Sequence, residues 1–314
     1  MDKLKELRIV FMGTPEFAVA SLDALVKAGC TIVAVVTAPD KPAGRGMQLQ
    51  QSAVKKYALS QQLTVLQPIK LKDPDFIEQL QSLQADLQII VAFRMLPEVV
   101  WNMPPMGSLN LHGSLLPRYR GAAPINWAVI NGEKETGVTT FRLKHEIDTG
   151  DILLQDSFPI TEEDTAGTVH DRMMEIGAAL LVKTVKGLAE GRLTETPQSA
   201  LTSTDNDPLP HAPKINTGTC RINWSDPVEK VYNLVRGLSP YPGAFTMLNE
   251  KMLKIYTSSK ETVFPKCTEG DYETDGKTYL KFACNDGYLH LLEIQLEGKK
   301  RMEITEFLRG YRFN

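Results

Sequence analysis

Short apolar segments alternate with helical segments along the first 190 residues of this chain, and that order limits the folds it can adopt. Parallel strands need long crossover connections, usually helices, so strands separated by helices favour a parallel sheet covered on both faces. The pattern predicts strands at 8–12, 31–37, 64–66, 86–93, 108–112, 136–143 and 152–159. It predicts helices at 15–28, 52–62, 74–83, 122–131 and 165–190. We therefore expect an α/β fold with a doubly wound, mostly parallel, Rossmann-like sheet.

The pattern changes after residue 193. Residues 194–213 are rich in Thr, Ser, Pro and Asp and poor in apolar residues, which is typical of a linker. One helix at 227–238 and short strands at 244–248, 252–258, 279–283 and 288–295 follow. These short strands favour a small antiparallel β-barrel of the OB type. The expected organisation is a domain at 1–193, a linker at 194–213 and a barrel domain at 214–314.

Charge and cysteine content exclude several function classes. The net charge of −3 gives no global basic field of the kind that marks many nucleic-acid-binding proteins, although a local patch could still act. The four cysteines are scattered without CxxC spacing, so we expect reduced thiols and no zinc or other metal site. The N-terminus lacks a signal-peptide pattern and no apolar run approaches about 20 residues. We expect a cytoplasmic monomer without a membrane partner.

Polar side chains occupy one face of the strand predicted at 108–112. Ser108, Asn110 and His112 alternate with two leucines, whereas the neighbouring strand at 87–93 is almost wholly apolar. A polar strand face is costly unless it borders a cleft or finds hydrogen-bond partners. Asn110 and His112 therefore either line an active site or pair with each other and a loop backbone, and the spacing alone does not choose between the two.

An acidic turn at 145–151 supplies a third chemical group. Taken alone, Asp148-Thr149-Gly150 indicates a solvated turn; an aspartic protease would need two such loops and the chain has one. A carboxylate at Asp148 could orient the His112 imidazole, so that His112 and Asn110 donate to a developing oxyanion. No Ser or Cys lies in a nucleophile elbow, so the nucleophile should come from a substrate. The set favours direct acyl transfer between two bound substrates.

Nucleotide-binding signatures are missing, and the basic segments are ambiguous. Residues 11–15 contain one glycine where G-x-G-x-x-G would be needed, and no P-loop occurs, so NAD and ATP sites are unsupported. The loop at 40–46, with Lys41 and Arg45, is either a solvated surface loop or a phosphate contact. Residues 206–314 carry 15 basic and 14 acidic residues, so the run Lys299-Lys300-Arg301 would bind RNA only through a one-sided distribution.

Motifs spread over nearly the whole chain resemble the folate-dependent formyltransferases. They are Asn110-x-His112, SLLPRYRGAAPI at 114–125, DTGD at 148–151, GTPEF at 13–17, KPAGRG at 41–46 and VRGLSPYPGA at 235–244. The resemblance implies a formyltransferase fold and transfer of the formyl group of 10-formyltetrahydrofolate to an amine. The 41–46 loop and the C-terminal barrel are similar to the branch whose acceptor is the α-amino group of initiator methionyl-tRNA.

The resemblance also implies roles for individual residues. Asn110, His112 and Asp148 would be catalytic. The turn Ser114, Leu115, Leu116 and Pro117 would contact the folate, with Phe93 and Met95 beside the pterin pocket, where Arg94 stands in place of the usual glycine. Lys41, Arg45, Lys299, Lys300 and Arg301 would contact tRNA, with Arg45 at the first base positions of the acceptor end.

Two other functions are compatible with the sequence. One is formyl transfer to a small amine such as a sugar nucleotide, because the family shares the catalytic motif. The other is a non-catalytic RNA-binding protein on the same scaffold, against which the intact Asn110, His112 and Asp148 argue.

Overall fold

The computed structural model describes residues 3–43, 48–201 and 208–313. The strands, in chain order, are β1 Arg8–Gly13, β2 Thr31–Val36, β3 Lys41–Ala43, β4 Gln48–Gln50, β5 Val65–Leu66, β6 Leu87–Val91, β7 Ser108–His112, β8 Arg120–Gly121, β9 Glu135–Arg142, β10 Ile152–Pro159, β11 His211–Ala212, β12 Ala244–Leu248, β13 Lys251–Glu261, β14 Tyr272–Thr274, β15 Leu280–Ala283, β16 Tyr288–Leu296 and β17 Met302–Glu303.

The helices follow the same order. They are α1 Lys3–Glu6, α2 Glu16–Lys27, α3 Ala53–Ser60, α4 Pro74–Ser82, α5 Glu98–Trp101, α6 Pro124–Ile130, α7 Ala166–Ala189, α8 Thr217–Cys220, α9 Val228–Gly237 and α10 Ile304–Gly310, with a 3₁₀ helix at Gln198–Leu201. No helix in the described ranges is both long enough and apolar enough to cross a membrane.

Two compact units divide the chain. The first contains Met1–Arg120, Gly137–Ser157 and Asp171–Pro210, and the second contains Gly121–Thr136, Phe158–His170 and His211–Asn314.

The first unit is organised by a seven-stranded sheet in the order β10-β9-β7-β6-β1-β2-β5. The pairs β6–β7, β6–β1, β1–β2 and β2–β5 are parallel, whereas β7 and β9 are antiparallel. The predicted α/β class with a mostly parallel sheet is therefore confirmed. Because β6 and β7 run in the same direction, their carboxyl ends open at one edge, where ligands bind in folds of this kind.

The core of this sheet follows from its apolar strands. After the exposed Arg8, every residue of β1 is buried, and all of β6 is buried as well. Gly13 ends β1, and a Cβ there would lie 2.6 Å from the Ala18 Cβ and 3.0 Å from the Val91 carbonyl. Only glycine lets α2 and β6 pack this closely at the end of the first strand.

The beginning of the predicted linker is attached to the first unit. Thr196 exchanges two 2.8 Å backbone hydrogen bonds with Ile152, and the Glu195 carboxylate pairs with Arg142. Gln198 is 3% exposed. Residues 195–198 thus have defined partners, and the functional division at 193 and 213 stays a prediction.

The second unit contains an antiparallel sheet in the order β12-β13-β16-β15-β14, with β17 on β16. The sheet curls into a half-barrel consistent with the predicted OB-like architecture. Its buried face meets α9 and α10 in a core that includes Phe282, Leu253 and Leu289. The sequence did not predict α10, a short helix that closes this core through Phe307 and Leu308.

Candidate active site

β7 carries two of the predicted catalytic residues at the carboxyl edge of the sheet. Asn110 is half-buried and lies opposite Ile90 of β6 and Phe141 of β9. His112 ends the strand opposite Thr139. The two side chains share one strand face because they are two residues apart, as the sequence predicted.

His112 lies almost out of solvent contact, with 7% of its surface exposed. Its Nε2 is 2.9 Å from the Tyr119 carbonyl oxygen, which only accepts, so Nε2 must carry a proton to form this bond. Its Nδ1 is 3.8 Å from the Asp148 Oδ2, which is within ion-pair range but too long for a hydrogen bond. The ring also stands edge-on to Phe141, at 6.4 Å between centroids and 86°.

The turn that carries Asp148 has an unusual backbone. Asp148 has φ +55°, in the left-handed region that Asp tolerates better than most residues. A Cβ on Gly150 would overlap the Arg142 carbonyl oxygen, so the return to β10 requires glycine. The Gln198 Nε2 donates 2.8 Å hydrogen bonds to the carbonyls of both Asp148 and Gly150. The fold therefore brings together His112 and Asp148, the pair predicted from the sequence, although they lie 36 positions apart in the chain.

Gln198 and Arg120 are the residues of this site that the sequence did not predict. The Oε1 of Gln198 accepts 3.0 Å and 2.6 Å hydrogen bonds from Arg120. Gln198 lies 50 residues from Asp148 in a segment that resembles a linker, and no spacing rule connects the two. Its position within a run of small polar residues gave no indication that it would contact the Asp148 turn.

The predicted folate-binding turn is largely buried. Ser114 has no exposed surface, and its hydroxyl donates a 2.7 Å hydrogen bond to the Arg118 carbonyl. Leu116 is 2% exposed, Pro117 is also buried and Leu115 is half-buried. A direct contact of this turn with folate stays a prediction, and Leu115 is its most accessible side chain.

Thr139 holds this turn from the neighbouring strand. Its hydroxyl donates to the Ser114 carbonyl at 2.6 Å and accepts from the Leu116 amide at 3.1 Å and from Gln155 at 2.9 Å. These bonds fix the turn relative to β9, which lies beside the candidate catalytic strand.

The residues predicted beside the pterin differ in exposure. Phe93 is half-buried against the core formed by β1, β2 and α4, whereas 73% of Met95 is exposed. Between them, Arg94 donates a 2.9 Å hydrogen bond to the Ile69 carbonyl and a further one to Pro68. Burial lowers the pKa of this guanidinium. Arg94 therefore ties its own loop to the segment before α4.

The cations predicted to contact tRNA differ in exposure and in ion pairing. Lys41 is exposed at the start of the β3–β4 hairpin, and Arg45 lies outside the described residues. Lys300 is 79% exposed, 3.7 Å from Glu306. Arg301 instead pairs with Glu293 and packs 4.2 Å from the Tyr256 ring centre. The hydrogen bond between Arg301 and Glu293 raises the pKa of Arg301 and lowers the pKa of Glu293.

Among the described residues, no group of three or more His, Cys, Asp or Glu side chains is arranged to hold a metal ion.

Comparisons with known proteins cover almost the whole chain. The family described as Formyl transferase matches residues 7–185, and the family described as Formyl transferase, C-terminal domain, matches residues 214–312. The methionyl-tRNA formyltransferase of Bacteroides fragilis is 52% identical over 314 residues, with 98% of this chain and 96% of the relative covered. That of Parabacteroides distasonis is 55% identical over 316 residues, with 99% and 97% covered.

A solved structure supports the fold. The N-formyltransferase from Helicobacter canadensis, in complex with folinic acid and dTDP-3-aminofucose, gives a TM-score of 0.67 at 21% identity and covers 94% of this chain and 100% of its own. The chain belongs to the formyl transferase family. Within it, the chain groups with the methionyl-tRNA formyltransferases.

Proposed function

We propose that this protein transfers the formyl group of 10-formyltetrahydrofolate to the α-amino group of initiator methionyl-tRNA. The observation that carries the proposal is the approach of the His112 imidazole to the Asp148 carboxylate beside Asn110. High identity to relatives named methionyl-tRNA formyltransferase favours the tRNA acceptor. Folate use is supported by the family and by the folinic acid in the Helicobacter canadensis structure.

The chemistry needs no nucleophile from the protein. The lone pair of the amine nitrogen attacks the formyl carbon, and the formyl oxygen becomes an oxyanion. His112 Nε2–H and the Asn110 amide donate to that oxygen, which replaces the Tyr119 carbonyl as the acceptor for His112. The bond from the formyl carbon to N10 of the folate then breaks, and the proton lost by the amine ends on N10. Asp148 orients His112 and assists this proton transfer.

Substrate binding is divided between the two parts of the chain. We assign catalysis to residues 1–193, with Ser114, Leu115, Leu116, Pro117, Phe93 and Met95 at the folate. Contact with the tRNA is assigned to Lys41, Arg45, Lys299 and Lys300 and to the domain at 214–314. The ion pair with Glu293 leaves Arg301 a smaller part in that contact. We further propose that the protein works as a cytoplasmic monomer.

One experiment separates the proposed acceptor from its rivals. Purified protein is incubated with formyl-labelled 10-formyltetrahydrofolate and, in parallel, charged initiator methionyl-tRNA, the same tRNA uncharged, or amino-sugar nucleotides. Label should enter only the charged tRNA and depend on the esterified amino acid. Label in the amino-sugar nucleotide would favour the small-amine function, and tRNA binding without label transfer would favour a non-catalytic RNA-binding protein.

A further inference from the structure

A buried glutamine fastens both sides of the turn that carries Asp148. The side-chain amide of Gln198 donates to the Asp148 and Gly150 carbonyls, each at 2.8 Å. Only 3% of Gln198 is exposed, so water competes little for these bonds. The two carbonyls belong to the residues before and after Thr149. The first of these residues, Asp148, has the left-handed backbone conformation.

Arg120 determines which end of the glutamine amide faces the turn. Its Nε and one terminal nitrogen both donate to the Gln198 Oε1, at 3.0 Å and 2.6 Å. A guanidinium only donates hydrogen bonds, so it requires the amide oxygen on its side and leaves both N–H groups for the carbonyls. The orientation of Gln198 is thereby fixed by chemistry as well as by packing.

We infer that Gln198, oriented by Arg120, is a positioning residue that holds Asp148 against His112 during formyl transfer. The inference rests on the proposed function. The Asp148 carboxylate approaches His112 Nδ1 at 3.8 Å from a backbone conformation that non-glycine residues seldom adopt. The hydrogen bonds from Gln198 to the Asp148 and Gly150 carbonyls stabilise that conformation. A displacement of about 1 Å in such a group can lower a rate by about 10²-fold.

Gln198→Glu tests the inference with little change in side-chain volume. Glutamate keeps its contact with Arg120 but loses both N–H donors and turns an oxygen toward two carbonyls. Under single-turnover conditions with saturating substrates, we expect the rate of formyl transfer to fall about 10- to 100-fold. Because neither substrate is proposed to contact Gln198, the KM for each should change less than about 2-fold.

The control is Gln61→Glu, which makes the same chemical change at an exposed glutamine of the first unit. The Gln61 amide donates a hydrogen bond of 3.4 Å to the Ser60 hydroxyl, away from the candidate site. The substitution adds the same charge without removing donors from the Asp148 turn. We expect its single-turnover rate to remain within about 2-fold of that of the wild type.

A double-mutant cycle distinguishes positioning from general destabilisation. If Gln198 acts through Asp148, Gln198→Glu should cost less than about 3-fold in an Asp148→Asn background. Hydrogen exchange of the amides at 146–151 should also become faster in Gln198→Glu. If that variant fails to fold, Arg120→Lys, which loosens the amide without removing it, should show the same pattern with a smaller rate loss.

Three results would overturn the inference: a wild-type rate in Gln198→Glu, the full rate loss repeated in the Asp148→Asn background, or unchanged exchange at 146–151. Each of these leaves wild-type formyl transfer intact. The failure of the inference is therefore distinguishable from failure of the proposed function, in which the wild-type protein itself would not formylate charged tRNA.

Discussion

The buried imidazole of His112 is the residue on which the proposed chemistry depends most. Both ring nitrogens have neighbours, since Nε2 meets the Tyr119 carbonyl and Nδ1 faces Asp148. A buried ring whose Nε2–H already meets an acceptor can donate to an oxyanion once that oxygen takes the place of the Tyr119 carbonyl. We expect loss of the ring to affect the reaction more than the fold.

His112→Ala should therefore lower kcat about 10²- to 10⁴-fold, because it removes an oxyanion donor and a partner in proton transfer. The affinity for methionyl-tRNA and the circular dichroism spectrum should stay as in the wild type. Single-turnover kinetics and tRNA binding on the same preparation provide the check. An unchanged kcat would refute the catalytic assignment of His112.

Two adjacent threonines of β9 offer a second comparison of single residues. Both are fully buried, but Thr139 bonds the turn at Ser114 and Leu116, whereas Thr140 bonds Thr184 and the Leu154 carbonyl on the opposite face. Removing either hydroxyl takes hydrogen bonds from buried groups, which costs about 1–3 kcal/mol.

Thr139→Val and Thr140→Val should thus both lower the free energy of unfolding in urea, by about 1–3 kcal/mol each. Only Thr139→Val should also reduce kcat/KM for the folate, by about 10-fold, because the turn it holds is the proposed folate contact. Kinetics at varied folate concentration on both variants test this. Equal losses in both would mean that Thr139 supports only the fold.

At the scale of elements, a cationic lysine links three strands of the C-terminal sheet. Lys281 of β15 lies 3.0 Å from Glu261 of β13, 3.6 Å from Glu273 of β14 and 3.8 Å from the Tyr288 ring centre of β16. His290 and Lys281 lower the pKa of Glu261, and the Tyr288 hydroxyl and Lys281 lower the pKa of Glu273. Glutamates with a lowered pKa stabilise the folded state above the unfolded-state pKa, and that stability is lost as pH falls through the folded-state pKa.

Lys281→Met should lower the Tm at pH 7 by several degrees, because two carboxylates lose a shared cation. The Tm difference from the wild type should shrink as pH falls below about 4.5, where the glutamates become protonated. Lys277→Met, at an exposed lysine in the turn before β15, is the control and should leave the Tm unchanged at each pH. A difference that stays constant down to pH 3 would contradict the electrostatic explanation.

The sequence predicted the long elements better than the short ones. The strands at 152–159 and 244–248 have the expected ends, because alternating or continuous apolar residues mark them clearly. The β3–β4 hairpin and the helices α5 and α10 were not predicted, since elements of a few residues contain too few periods to show a pattern. Asn110, His112 and Asp148 could be proposed as catalytic candidates from their chemistry and from the strand face that Asn110 and His112 share. Gln198 could not, because its role arises from contacts across 48 and 50 residues of chain.

At the scale of the whole molecule, the net charge of −3 opposes binding to a polyanion. Affinity for tRNA must then depend on a few local cations, each of which releases counterions from the RNA when it meets a phosphate. Lys41 and Lys300 are exposed, whereas Arg301 is held by Glu293. Each cation that meets a phosphate should therefore contribute measurably to the salt dependence of binding.

Arg45→Ala should weaken methionyl-tRNA binding and reduce the slope of log affinity against log salt by about 0.7 to 0.9, the contribution of one phosphate contact. Arg45→Lys keeps the charge and should retain the slope while losing contacts that need the guanidinium. Lys72→Ala, at an exposed lysine before α4 outside the proposed tRNA contacts, is the control and should change neither quantity. Binding titrations from 50 to 200 mM salt measure both. An effect of Arg45→Ala confined to the KM for folate would show that this loop serves the other substrate.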